Sequence, residues 1–275
     1  MTETLAGRTL LMSGGSRGIG LAIALRAAQD GANIALLAKT DRPHPRLEGT
    51  IQTAAAAIRD AGGRALPIVG DVRNDEAIAR AVDATVTEFG GIDIVINNAS
   101  AIDLSGSLEL NPKRYDLMQD INVRGTFQLS RAALPHLLKA EHPQILSLSP
   151  PLNLSPHWLG AYPGYMISKY GMTLATLGLA AEFEHAGVRA NCLWPRTTIR
   201  TAAVANLLGG DEVLRHSRTP DIYADAAYLV LTDPLRQTGR TLLVEDVLAE
   251  AGITDLSRYS PGVAEEDLVP DAFLD

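Results

Sequence analysis

The stretch Thr9-Leu10-Leu11-Met12-Ser13-Gly14-Gly15-Ser16-Arg17-Gly18-Ile19-Gly20 decides how the chain folds. A short apolar run enters a glycine-rich turn and leaves it in a helical pattern over residues 21–30, so it reads as strand, tight turn and helix. Glycines at 14, 18 and 20 let the backbone turn sharply, approach a pyrophosphate and pack the helix against the strand. The helix N-terminus offers free N–H groups and a partial positive charge to such an anion. The expected dinucleotide contacts here are Gly14, Ser16, Arg17, Gly18, Ile19 and Gly20. A glycine turn alone is weak evidence; its place after the first strand, opening a βαβ unit, gives it meaning.

Working outward, apolar runs recur at 33–38, 65–69, 92–97, 144–148, 189–193 and 240–244, with helical stretches between them. One such stretch carries Ile78, Val82, Val86 and Phe89 at helical spacing, with Asp75 as its expected N-cap and Gly90-Gly91 as its end. The alternation predicts an α/β chain: a Rossmann-type, doubly wound, mostly parallel seven-stranded sheet with helices on both faces. Residues 1–275 are expected to form a single dinucleotide-binding domain with an acidic C-terminal extension from about 245.

Composition narrows the function classes. The net charge is −8, and residues 245–275 alone hold nine acids and one base, so the rest of the chain balances to zero. That leaves no basic field for nucleic acid. The tail is expected to fold over the body or over a neighbouring subunit; composition leaves both open. No apolar run reaches the length of a membrane span and no signal-peptide pattern opens the chain, so a cytoplasmic location is expected. The one cysteine, Cys192, sits in an apolar run and reads as a buried structural residue. The six histidines do not pair at metal-ligand spacing, and neither a P-loop ending nor a Gly-x-Ser-x-Gly elbow occurs. Metal hydrolysis, phosphoryl transfer and acyl transfer are therefore disfavoured.

Three long connections interrupt the alternation: 39–50, 150–163 and 209–221. Ligands of α/β folds bind beyond the strand C-termini, so the second and third are expected to line a substrate pocket. Leu152, Leu154, Trp158 and Leu159 in the second favour a hydrophobic substrate. Where the second strand ends, Lys39 stands in place of the acid that usually binds a ribose 2′-hydroxyl; with Arg17 it suits a 2′-phosphate. NADP(H) is thus the expected cofactor, with NAD(H) also admissible. Asp71-Val72 either meets the adenine or caps a helix. Asn97-Asn98-Ala99-Ser100 closes the fourth strand, where Asn98 and Ala99 are placed to meet the nicotinamide ribose and the amides also to knit strands.

Tyr165-Met166-Ile167-Ser168-Lys169 opens a long helical pattern and puts Tyr165 and Lys169 on one helix face. A free tyrosine titrates near 10, and a nearby ammonium favours its phenolate. Such a tyrosine can give a proton to a carbonyl oxygen or take one from an alcohol.

The glycine turn, the Asn97–Ser100 strand end, Asn122 in Ile121-Asn122-Val123 and the Tyr165/Lys169 pair together resemble the short-chain dehydrogenase/reductase family, in order, from residue 7 to about 245. The resemblance implies Tyr165 as acid/base, Lys169 as the group that lowers its pKa and holds the ribose, and Asn122 in a proton relay. It also implies a homodimer or homotetramer built through two long helices, about 112–139 and 165–185. Lys39-Thr40 with Pro43-His44-Pro45, the run from Ser149 to Leu154, and Trp194-Pro195 resemble the hydroxysteroid dehydrogenase-like branch. Members of that branch often carry a sterol-carrier domain after the reductase, and none is expected within these 275 residues.

Two positions depart from the family pattern. Pro150 falls where the family places a catalytic serine, which makes Ser149 the candidate for polarising the substrate oxygen. Pro195-Arg196 replaces the family's Pro-Gly, with Pro195 and Thr198 expected at the carboxamide and Thr197 or Thr201 as alternatives. Arg196 reads as a solvated loop residue in preference to an anchor for an anionic substrate. The expected function is an NADP(H)-dependent oxidoreductase interconverting a carbonyl and an alcohol on a small hydrophobic, lipid- or steroid-like substrate. The alternative, favoured by the displaced serine, is a cofactor-binding sensor or scaffold with little catalysis.

Overall fold

The computed structural model describes residues 4–43, 48–207, 210–235 and 237–275. His44, Pro45 and Gly209, which figured in the long connections, lie outside the described residues. In chain order the elements begin β1 (Thr9–Ser13), α1 (Gly18–Ala28), β2 (Asn33–Ala38), α2 (Ile51–Asp60), β3 (Arg64–Val69), α3 (Asp75–Phe89) and β4 (Ile94–Asn97). They continue with α4 (Pro112–Met118), a π-helical segment (Gln119–Gly125), α5 (Thr126–Leu137), β5 (Gln144–Ser147), α6 (Pro156–Ala161), α7 (Pro163–Glu182) and β6 (Arg189–Trp194). Then come α8 (Ala202–Leu207), α9 (Gly210–Arg215), α10 (Asp221–Leu231), β7 (Thr241–Leu243) and α11 (Val244–Glu250).

The seven strands form one sheet in the order β3-β2-β1-β4-β5-β6-β7, every pair parallel. Successive side chains of a strand point to opposite faces, and the core follows that rule. Leu10 and Met12 join one buried cluster with Ile23, Ile51, Ile222 and Leu248, while Leu11 joins another with Ile78, Val82, Leu129 and Leu179. Helices therefore cover both faces, and the buried strands read as apolar runs because neither face meets water. Strand order reverses between β1 and β4, so the turns that leave these two strands open a crevice at the strand C-termini.

Local chemistry sets the helix ends, with one correction. The cap of α3 is Asn74, whose side chain accepts from the Ala77 N–H at 2.8 Å; Asp75 is the first helical residue instead. There its charge complements the helix dipole and pairs with Arg124. Gly90 ends the helix at φ 89°, the left-handed region that glycine enters without cost. The long connection 150–163 contains α6, and α9 occupies much of 209–221.

The acidic tail folds over its own body. Beyond α11 it crosses the sheet's C-terminal edge on long-range hydrogen bonds: Thr198 N–H to Val269 O, Asp271 N–H to Arg196 O, and Trp194 Nε1 to Ala272 O at 3.0 Å. The guanidinium of Arg218, fully buried, holds Glu265 and the Leu256 carbonyl. At the end, Asp275 accepts from Asn153 Nδ2 and Trp158 Nε1. Among the described residues no helix is long and apolar enough to cross a membrane.

Candidate active site

A single cleft of about 590 Å³ follows the strand C-termini and gathers most of the expected site residues. The β1 turn contributes Gly14, Ser16, Arg17, Gly18 and Ile19. Gly14 sits at φ 79°, and a Cβ there would lie 2.4 Å from Asn98 Nδ2. The same atom would lie 2.5 Å from a Cβ on Gly20. Gly20 thus does not line the cleft; it lets α1 close on Asn98, whose Nδ2 donates to Ser13 O at 3.0 Å. Arg17, the residue that precedes α1, gives it no side-chain cap, and the first turn of the helix holds no acid. Its leading N–H groups are therefore available to an anion in the cleft, and this bare cradle fits a dinucleotide pyrophosphate.

At the β2 and β3 exits the cleft is lined by Lys39, Asp71 and Val72. Lys39 is 57% exposed and lies 3.5 Å from Asp71. Burial raises the Asp71 pKa, but the hydrogen bonds from Arg73 and the Lys39 charge outweigh it and bring it down to about 2. Arg17 donates to the carbonyls of Glu48 and Gly49 at 2.8 and 2.7 Å. The β4 exit divides the work of its asparagines. Asn97, fully buried, knits Ser130 to Ser147, while Asn98 and Ala99 line the cleft.

Tyr165 and Lys169 project from α7 into the same cleft, one turn apart. Lys169 donates to Leu148 O at 2.8 Å, its ammonium lies 5.1 Å from the centre of the Trp194 ring, and burial lowers its pKa to about 8. Burial pushes Tyr165 upward from its ordinary value, and the charge of Asp271 adds to the rise. That is opposite to the lowering that an ammonium neighbour suggests. Desolvation of the phenolate sets the direction, and Lys169, whose ammonium holds the Leu148 carbonyl, is not among the groups that lower it. Tyr165 is therefore a protonated hydroxyl, poised to donate.

Besides Gly20, three expected residues stand outside the cleft lining. Asn122, in the π-helical segment, is fully engaged: its amide oxygen accepts from Ala101 N–H at 2.7 Å, and its nitrogen donates to Ala101 O and Ser168 Oγ. Ser168 in turn donates to the Tyr165 carbonyl at 2.8 Å, so Asn122 ties the β4 exit to the turn that carries the tyrosine. Ser149 is fully buried and lies against Cys192, and the carbonyl of the next residue, Pro150, accepts from Thr173. Thr198 is spent on Ser217 at 2.7 Å and the Val269 carbonyl, because the tail runs alongside it. Pro195 and Thr201 line the cleft in that region. Among the described residues the connections 150–163 and 209–221 contribute no lining residue; α8 does so instead, through Ala202, Val204 and Asn206.

Among the lining residues that were not anticipated is a carboxylate from the tail, Asp271. Its N–H donates to Arg196 O, and one carboxylate oxygen accepts from Ala272 N–H at 2.7 Å. Burial lifts its pKa to about 7, with Ala272 and Lys169 pulling it down and Glu245 pushing it up. Phe273 anchors it, fully buried against Trp158, Tyr165, Tyr170 and Trp194 with ring centres 5.3 to 6.3 Å away. Its φ of 73° costs about 1–3 kcal/mol. Burying the ring contributes about 1.5–3 kcal/mol, and the aromatic contacts add about 0.5–1.5 kcal/mol each, so packing wins. The only sequence signal was an apolar run, Leu268-Val269-Pro270 and Ala272-Phe273-Leu274, inside an otherwise acidic tail.

A Rossmann-type sheet, a glycine cradle and a Tyr/Lys pair in one cleft define a nicotinamide-binding oxidoreductase. The family described as short chain dehydrogenase matches residues 8–209, and the chain belongs to it. It is 51% identical to hydroxysteroid dehydrogenase-like protein 2 of Danio rerio and 48% identical to that of Homo sapiens, each over 100% of this chain and 65% of the relative. The chain thus spans just under two thirds of the length of these relatives. A solved short chain dehydrogenase from Mycobacterium thermoresistibile superposes with a TM-score of 0.93 at 57% identity, over 99% of this chain and 96% of that one.

Proposed function

We propose that this dehydrogenase uses NADP(H) to interconvert a ketone and a secondary alcohol on a small hydrophobic substrate, with Tyr165 as the general acid/base. The carrying observation is the shared cleft, in which the glycine cradle and the Tyr165 hydroxyl meet. A bound nicotinamide supplies hydride chemistry. The chain's part is to hold the pyrophosphate at α1, orient the ribose from Lys169, and give or take a proton at the Tyr165 hydroxyl. Arg17 and Lys39 at the cleft's far end support a 2′-phosphate. Ile102, Ile121, Leu148, Trp194 and Val204 give the cleft apolar walls, which support a steroid- or lipid-like substrate, as the relatives' printed name also does. Exposed Phe127 on α5 and Ile167 and Leu174 on α7 support a homodimer or homotetramer through these helices.

The test is NADPH oxidation by the purified chain across a panel of cyclic and long-chain ketones, beside Tyr165→Phe. Turnover that vanishes in the variant is the expected result. Equal turnover by the variant overturns the mechanism, and no turnover on any ketone overturns the activity.

A further inference from the structure

Reduction of a carbonyl puts charge on its oxygen, and a site does best with two groups there: one that gives the proton and one that steadies the charge. Tyr165 is the first. The second has no evident source in the segment after β5. Pro150 offers only a carbonyl, already taken by Thr173 Oγ1 at 2.6 Å, and the Ser149 hydroxyl is buried away from the cleft. The tail fills the gap.

We propose that Asp271 is a catalytic residue, whose carboxyl group donates the second hydrogen bond to the substrate oxygen beside the Tyr165 hydroxyl. The inference rests on the carbonyl–alcohol reading above. Four observations carry it. Asp271 lines the same cleft as Tyr165 and Lys169 and is close enough that its ionised form acts on both. Its backbone is fixed by Arg196 O, and one carboxylate oxygen by Ala272 N–H, while the other has no hydrogen-bond partner among the described residues. Phe273, two residues on, is locked in an aromatic cage that includes the Tyr165 ring itself, so tail and tyrosine are positioned together. Trp194, which packs beneath Lys169, holds the Ala272 carbonyl at 3.0 Å.

The protonation state agrees with the geometry. An ordinary aspartate is ionised at neutral pH and would repel a developing oxyanion. Burial brings Asp271 to about 7, so its protonated form is well populated there. The charged and titratable groups facing it are Tyr165 and Lys169 from α7, Tyr223 from α10 and Glu245 from α11. In reduction, the carbonyl carbon accepts a hydride from the reduced nicotinamide, the π pair moves onto oxygen, and that oxygen takes the Tyr165 proton. Asp271 keeps its own proton throughout and lends only a hydrogen bond.

The experiment compares wild type, Asp271→Ala, Asp271→Asn and Tyr165→Phe with NADPH and cyclohexanone or 2-decanone from about pH 5 to about pH 9. Asp271→Ala is expected to lose about 100-fold in kcat/KM, mostly in kcat, as for other removed oxyanion donors. Asp271→Asn keeps a donor that cannot ionise. It should retain activity within about tenfold and lose the decline that wild type shows as pH rises through about 7. Hydrogen exchange over residues 268–275 of the Asn variant confirms that the tail stays seated. Independently of turnover, infrared spectra of the full chain carrying carbon-13 aspartate should show a protonated carboxyl band that titrates near 7, disappears in Asp271→Asn and shifts when cyclohexanone is added. Wild-type turnover that depends on Tyr165 but survives Asp271→Ala unchanged overturns the role of Asp271 alone. Absence of the carboxyl band does the same. An inactive wild type overturns the underlying reading and this inference with it.

Discussion

At the cofactor end of the cleft, Gly14, Gly18 and Gly20 fall within one turn of chain and shape the cradle by local conformation and close packing. At the substrate end, Asp271 and Phe273 are brought in from the far end of the chain by contacts such as Asn153 to Asp275, 122 residues apart. The first region follows from what glycine's backbone permits. The second exists only because strands, a buried arginine and an aromatic cage cooperate. The cradle should therefore fail through single local changes, whereas the tail should fail by detaching while the sheet stays folded.

The largest effect is expected at the cradle. In Gly14→Val a β-branched residue would have to hold φ 79°, with its Cβ driven into Asn98. Asn98 cannot yield without releasing Ser13 O. Strain and overpacking together cost a few kcal/mol, so NADPH affinity measured by fluorescence should fall at least about 100-fold. A dissociation constant within threefold of wild type would show that the cradle is not built by conformation.

The tail's counterpart is Phe273→Ala. Emptying an aromatic cage costs about 3–5 kcal/mol, and alanine tolerates positive φ no better than phenylalanine except by letting the backbone relax. Relaxation returns part of the strain, leaving a net local loss of about 2–3 kcal/mol. Hydrogen exchange should accelerate over 268–275 while β1, β4 and β5 keep their protection. Uniform acceleration would instead make the tail part of the global core.

This contrast also explains what could be read from the sequence. The seven strands, the crevice and the Tyr165/Lys169 face were legible because apolar periodicity and a four-residue helical spacing are local signals. The strand limits moved by only a residue or two, as at β7, where Thr241–Leu243 replaces 240–244. The substrate end was not legible. Nothing near Ser149 says that its hydroxyl turns toward Cys192, and nothing near Asp271 says that it reaches Tyr165, since both follow from how distant segments stack. The rise in the Tyr165 pKa was hidden for the same reason: spacing supplies its lysine neighbour, but only the assembled fold supplies the burial and the Asp271 charge that raise it.

A pH experiment sharpens the comparison further. The folded-state pKa of Asp271, about 7, lies above its ordinary value of 3.8, so ionising it opposes folding. The sign follows: the penalty is absent below about 4, grows between about 4 and about 7, and is complete above that. Asp271→Asn should therefore raise Tm by several degrees near pH 8 and leave it nearly unchanged near pH 4. Equal shifts at both would assign the effect to packing rather than charge.

The smallest effect returns to the cradle, at its charged rim. Lys39 is exposed and shares Asp71 with Arg73, so it starts from a partnered state. Binding a 2′-phosphate exchanges one charge-assisted contact for another in a solvated setting, which reduces the gain below that of a buried pair. Lys39→Asp removes the attraction and adds repulsion beside Asp71, while an aspartate there can accept from a ribose 2′-hydroxyl. The NADPH-to-NADH affinity ratio should fall about tenfold, or about 1.4 kcal/mol, and the fall should shrink in high salt because the site is exposed. Arg17 sets the limit of this prediction. Its guanidinium lies against the Glu48 and Gly49 carbonyls, and it can turn from them to the phosphate. An unchanged ratio in Lys39→Asp that falls only when Arg17→Ala is added would move the selectivity into the glycine turn itself, which would make even cofactor choice a property of the local stretch that sets the fold.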